Sequence, residues 1–109
     1  MNTSIKTLAE LKDGRTVELK VYQVKNGGWA EFLRCWRKIV KLRRAAGFVV
    51  EFAVADIPGN RFMWAVSFNG DFIAQNTNYL NDPDRIAANV ISDYVGRFEI
   101  PKVVHIPID

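Results

Sequence analysis

The sequence has one cysteine and one histidine. The lone Cys35 excludes an internal disulfide framework and points to a reducing compartment, so a cytoplasmic location is expected. His105 and Cys35 lie far apart in the chain and give no metal-ligand spacing. Neither a metal nor a cofactor is therefore expected. No apolar run approaches the roughly 18 residues of a membrane span. Met1 to Gly14 contains no uninterrupted apolar stretch, so no cleaved signal peptide is expected there. Internal repeats and low-complexity segments are absent as well.

What remains is a globular composition. The chain has 109 residues, 49% hydrophobic and 25% charged, which suits one folded domain. A chain of this length should bury roughly 65% of its unfolded surface without staples. Net charge is +3, with 11 Lys/Arg against 5 Asp/Glu in residues 1–55 and 4 against 7 in residues 56–109. Much of the excess sits in Arg34, Arg37, Lys38, Lys41, Arg43 and Arg44. A phosphate-binding patch is one reading of this run. The solvated face of one helix, cations near its C-terminus, is the simpler one.

Residues 4–12, with Ser4, Ile5, Leu8 and Leu11, read as a short amphipathic helix ending at Asp13-Gly14. Thr16 to Lys25 alternates as a half-buried strand, with Val17, Leu19 and Val21 inward. Asn26-Gly27-Gly28 breaks it. Trp29, Phe32, Leu33, Trp36, Ile39 and Val40 then fall on one helical face, and Gly47 closes that helix. Both tryptophans read as core anchors. Phe48 to Asp56 and Arg61 to Phe68 read as a hairpin across Ile57-Pro58-Gly59-Asn60. A helical region opens at Gly70-Asp71, Asn81-Asp82-Pro83 interrupts it, and a further helix is expected from Pro83 to about Phe98. Ile86, Ala87, Val90, Tyr94 and Val95 are its expected buried residues. Ile100 to Ile106 reads as the last strand, placed by its prolines near an edge.

The order β-α-β-β-α-β predicts an α+β, ferredoxin-like domain: a four-stranded antiparallel sheet with both helices on one side. Residues 1–15 form a short N-terminal extension and 16–109 the domain. Strand parity assigns Val17, Leu19, Val21, Phe48, Val50, Phe52, Val54, Phe62, Trp64, Val66 and Phe68 to the helix side. The opposite face then mixes Tyr22, Val24, Val49, Ala53, Ala55, Met63 and Ala65 with Glu18, Lys20, Glu51, Arg61 and Ser67. It is too apolar for a face left in water. Either a second copy of the chain or a ligand is expected to cover it; a homodimer packed sheet against sheet is preferred, since two-fold dimers are the commonest oligomers.

The stretches Val17-Glu18-Leu19-Lys20-Val21-Tyr22-Gln23-Val24-Lys25-Asn26-Gly27, Phe32 with Trp36, and Leu42-Arg43-Arg44-Ala45-Ala46-Gly47-Phe48 carry a family likeness, as do Phe62 with Trp64 and Tyr79 after Gly70-Asp71-Phe72. In their order and spacing over residues 16–106 the chain resembles the NIPSNAP family of the dimeric α/β-barrel group. The resemblance implies two ferredoxin-like subunits with facing sheets and no established activity. Related barrel families include cofactor-independent monooxygenases, small isomerases and haem-degrading enzymes, with a pocket between sheet and helices. Fold alone does not fix chemistry.

The expected function is a homodimeric small-ligand-binding or interaction module, its ligand small and apolar or aromatic. The alternative is a cofactor-independent monooxygenase or isomerase acting on a small aromatic or polyketide-like substrate. Pocket candidates are Tyr22, Glu51, Arg61, Met63, Trp64 and His105. The oxygenase reading sets Trp64 beside an aromatic substrate oriented by Tyr22 and His105, yet parity puts Trp64 and Tyr22 on opposite faces. His105 could serve as a base or haem ligand. A packed or solvated terminal histidine accounts for it more simply. Cys35 reads as an inert thiol, Asp82 and Asp84 as helix capping, and Gly27-Gly28 as a turn. An RNA-binding module of the same strand order is excluded at its stacking positions, which hold Met63 and Ala65. No nucleic-acid or membrane partner is expected.

Overall fold

Alternation from Thr16 onward gives strand β1 (Thr16–Val24), and Gly27, at a φ of 75°, turns the chain into helix α1 (Trp29–Ala45). The computed structural model describes residues 16–103; the expected helix at 4–12, the extension 1–15 and His105 lie outside them. Helix α1 buries Phe32, Cys35, Ile39, Val40 and Arg43 and ends before Gly47. Gly47 has a φ of 93°, and a Cβ there would meet Phe68 Cε1 at 3.2 Å. Glycine is needed for both reasons. Strands β2 (Val49–Asp56) and β3 (Arg61–Phe68) form the expected hairpin. Its turn is tied by the Asp56–Arg61 ion pair at 2.8 Å and by the Gly59 N–H donating to Asp56.

Helix α2 (Phe72–Leu80) starts where Asp71 accepts the Ala74 N–H at 3.0 Å. Asp71→Ala leaves that donor without its cap, and stability should fall by about 1 kcal/mol. Urea unfolding should show a lower midpoint at an unchanged slope; a midpoint equal to wild type would deny the cap its role. Asp82 caps helix α3 (Pro83–Ala88) in the same way through the Asp84 N–H, with Pro83 at the first helical position.

The expected helix to Phe98 stops ten residues early. Asn89–Tyr94 forms a 3-10 turn, and strand β4 (Val95–Glu99) begins at once. The β-branched pair Val90-Ile91 and the backbone-competing Asn89, Ser92 and Asp93 disfavour continued α-helix. Ile86, Ala87 and Val90, expected inside, are exposed. The last strand therefore starts at Val95, lapses at Ile100-Pro101, and resumes as β5 (Lys102–Val103). Proline lacks the N–H that the ladder needs, which accounts for the break.

The sheet runs β2-β3-β1-β4, every pair antiparallel, and β5 pairs with β1 beyond the end of β4. This is the ferredoxin-like arrangement. Val24, Phe32, Ile39, Val40, Phe48, Phe62, Trp64, Val66, Phe72 and Tyr79 make up the buried core beneath the helices. Trp29 and Trp36 pack edge-on against Phe62, each partly buried, as anchors should.

Strand β1 faces the other way from its hydrophobic alternation. Lys20 pairs with Trp64, Tyr22 with Phe62 and Glu18 with Val66, so these even-numbered residues share the helix side with the core. Val17, Leu19 and Val21 share the outer face with Ser67, Ala65 and Met63. A second correction comes from β2, where the register shifts between Val50 and Phe52. Such a bulge inverts the parity of everything after it. Phe52 and Val54 consequently face outward beside Ala65 and Met63, and Ala53 and Ala55 take the helix side.

Candidate functional site

Because β1 turns polar side chains toward the helices, the layer between sheet and helices is not filled by apolar residues alone. It holds a cavity of about 460 Å³. Glu18, Lys20 and Tyr22 of β1 form its floor, Arg43 of α1 and Asn76 of α2 one wall, and Arg85 with Asn89 and Ile91 the other. Leu80, Phe98 and Ile100, all exposed, lie toward its opening. A recess of about 60 Å³ continues toward the core, bounded by Ile39, Trp64 and Tyr79 together with the same cations.

Arg43 falls on the apolar stripe of α1, four residues after Ile39, and is only 3% exposed. Its Nη1 donates to Asn76 Oδ1 at 2.7 Å. The guanidinium carbon lies 4.0 Å from the Tyr79 ring centroid and 4.6 Å from that of Phe48. Burial lowers its pKa, although a guanidinium stays charged in proteins. Lys20 is equally buried, bonded to Glu18, with Nζ 5.9 Å from the Trp64 ring centroid. Burial chiefly pulls its pKa down; the Glu18 hydrogen bond opposes this, and the charges of Arg43 and Arg85 add to it. Burial pushes the phenols of Tyr22 and Tyr79 up, so both are neutral donors at working pH. Three cations thus face one carboxylate in a partly desolvated space.

The six sequence candidates do not form one site. Tyr22 and Trp64 meet in the same recess, against the expectation that they lie on opposite faces. Strand pairing of Tyr22 with Phe62 and of Lys20 with Trp64 is the reason. Met63 lies on the outer face with Val21 and Val54. Glu51 sits at the β2 bulge and accepts from Ser67 Oγ. Arg61 forks onto Asp56 at 3.0 and 2.8 Å, and this holds the Asp56 carboxyl below its usual range, with the Gly59 N–H helping. His105 lies outside the described residues. Sequence reasoning missed Arg43, Lys20 and Arg85. For Arg43 a signal existed, since its helical position continues the stripe of Phe32, Trp36, Ile39 and Val40 rather than the solvated face of Arg34, Arg37, Lys38, Lys41 and Arg44.

Among the described residues, no three His, Cys, Asp or Glu side chains are grouped to hold a metal ion. None of the described helices is long and apolar enough to cross a membrane.

No family model matches the sequence, and no curated protein does. Solved structures do match. A NIPSNAP family protein of unknown function from Agrobacterium tumefaciens superposes with a TM-score of 0.76 at 15% identity, over 87% of this chain and 91% of that one. An uncharacterized NIPSNAP domain protein from Burkholderia xenovorans gives 0.73 at 19%, over 83% and 93%. A putative antibiotic biosynthesis monooxygenase from Bacteroides thetaiotaomicron gives 0.69 at 16%, over 85% and 90%. Identities this low speak to fold alone. With its strand order and sheet-to-helix layering, this chain has the ferredoxin-like fold of the NIPSNAP structures.

Proposed function

We propose that the protein is a NIPSNAP-type, homodimeric, cytoplasmic domain that binds a small organic molecule in the cavity between sheet and helices. The observation that carries the reading is the cavity itself. At about 460 Å³ it has the size of small-ligand sites, and it combines an apolar opening with convergent polar groups. Filling it is the direct test. Ser92 lines the cavity from the 3-10 turn and is exposed, so Ser92→Trp should occupy the space without disturbing the core. Native mass spectrometry against a mixture of small organic molecules should show one bound molecule per chain for wild type and none for the variant. Binding that is unaffected by Ser92→Trp would overturn the assignment to this cavity.

A cofactor-independent monooxygenase or isomerase is the second reading. One observation favours it: Tyr22 and Trp64 line a common recess, so a bound aromatic molecule would meet both. The same experiment separates the two. A ligand recovered unchanged after incubation in air supports a binding module, whereas one recovered with altered mass or connectivity supports an enzyme.

A further inference from the structure

Arg43 poses an electrostatic problem that nothing in the described residues solves. It is 3% exposed, and its contacts are the neutral amide of Asn76 and the ring faces of Phe48 and Tyr79. Its Nε has no hydrogen-bond partner, and no carboxylate pairs with it. The charge of Glu18 reaches it only at a distance and is shared with Lys20, and a buried cation without a directly paired carboxylate is a costly arrangement in a folded chain. Arg85 adds a second buried Nε without a partner. Lys20 adds a third charge, and Glu18, the carboxylate of the cavity lining, is already bonded to it. Two guanidinium groups therefore converge on the recess with donors to spare.

The shape of the site narrows what could satisfy them. A recess of about 60 Å³ has room for a group of roughly two water molecules in size. The Arg43 guanidinium packs against the Phe48 and Tyr79 rings, which meet it from adjacent sides, and with Nη1 engaged by Asn76 its Nε edge is the one left unpaired. That edge matches a planar carboxylate as a fork. Away from the cations the lining turns apolar, through Leu80, Phe98 and Ile100. An inorganic anion would leave that part of the cavity unused.

We propose that the cavity takes a small organic carboxylic acid, its carboxylate held by Arg43 and Arg85 beside Lys20 and its apolar body lying toward Leu80, Phe98 and Ile100. This rests on the ligand-binding reading above and adds the charge and orientation of the ligand. The test is titration calorimetry with benzoate, phenylacetate and 4-methylpentanoate, each against its own amide, and with inorganic phosphate. At least one acid should bind at millimolar concentration, with its amide and phosphate weaker by about tenfold or more, the scale of a lost charge-assisted hydrogen bond. Arg43→Gln and Arg85→Gln should each weaken the acid by a similar factor and the amide by less, so that the preference for acid over amide narrows. Arg85 is only half buried in a surface helix, so its variant keeps the test valid if Arg43→Gln fails to fold. Amides binding as well as acids would overturn the anionic ligand and leave the ligand-binding reading standing. Phosphate binding as tightly as the acids would overturn the organic body. No binding by any acid or amide would remove both readings.

Discussion

Phe32→Ala is expected to lower stability by about 3–5 kcal/mol, the cost of removing a buried ring and leaving its cavity. Domains of this size are stable by roughly 5–15 kcal/mol, so the loss is from a fifth to nearly all of the total. The ring is 0% exposed. It stands edge-on to Phe62 at 5.0 Å, Tyr22 at 5.9 Å and Trp29 at 6.0 Å between centroids. Those three residues come from β3, β1 and the start of α1, so Phe32 is where helix and both central strands meet. Neighbouring rings of this size have no easy collapse into the space. Chemical unfolding should show the loss as a shifted midpoint. Ile73→Ala, at 78% exposure on α2, should change stability by less than about 0.5 kcal/mol. A Phe32→Ala loss below about 1 kcal/mol would mean that the aromatic cluster does not hold the helix to the sheet.

Phe32 also illustrates what the sequence makes readable. Its helix is long, strongly periodic and closed by a glycine, and each of these features is local. The hairpin at Ile57–Asn60 and the caps at Asp71 and Asp82 are local too, and the structure has them where turn and cap chemistry place them. Element order then suffices for the fold, because few arrangements of β-α-β-β-α-β bury every apolar face. The end of the third helix was not legible. Ile86, Val90, Tyr94 and Val95 keep helical spacing, but the weak formers between them tip the chain into a 3-10 turn and an early strand. Periodicity locates an apolar residue without saying which element carries it.

The site was hidden by a reasonable assumption, that the more apolar side of a strand faces the core. In β1 that side, Val17, Leu19 and Val21, faces away from the helices, and Glu18, Lys20 and Tyr22 face inward. Only pairing with β3 reveals this, and pairing is non-local. The β2 bulge is equally non-local in origin, since no glycine marks it. Together the two shifts move Tyr22 to the side of Trp64 and bring Phe52 and Val54 to the side of Met63. One set creates a polar cavity, the other an apolar outer face. The break with simple patterning thus falls at the cavity proposed above as the ligand site, where polar groups inside are what a ligand would need.

That outer face leads to the second large effect. Phe52→Asp is expected to convert a dimer of about twice the 12.4 kDa chain mass into a monomer. Val49, Phe52 and Val54 are 49%, 46% and 48% exposed, and Leu19, Val21 and Met63 lie beside them on the same face. Val17, Ala65 and Ser67 of that face are buried, so the exposed apolar side chains gather along β2, where they suit the core of a homodimer contact. A carboxylate placed in such a core meets its two-fold copy and loses its water. The cost is several kcal/mol, and about 4 kcal/mol raises the dissociation constant by roughly a thousandfold. The substitution leaves the β2–β3 backbone ladder untouched, so the chain should still fold. Ile57→Asp, in the hairpin turn at 63% exposure, is the control and should remain dimeric. Light scattering on eluted peaks reads the masses, and a wild type eluting as a monomer would remove the dimer. Because the cavity lies on the other side of the sheet, the Phe52→Asp monomer should retain its ligand affinity. Loss of both together would mean that the two faces are coupled through the sheet.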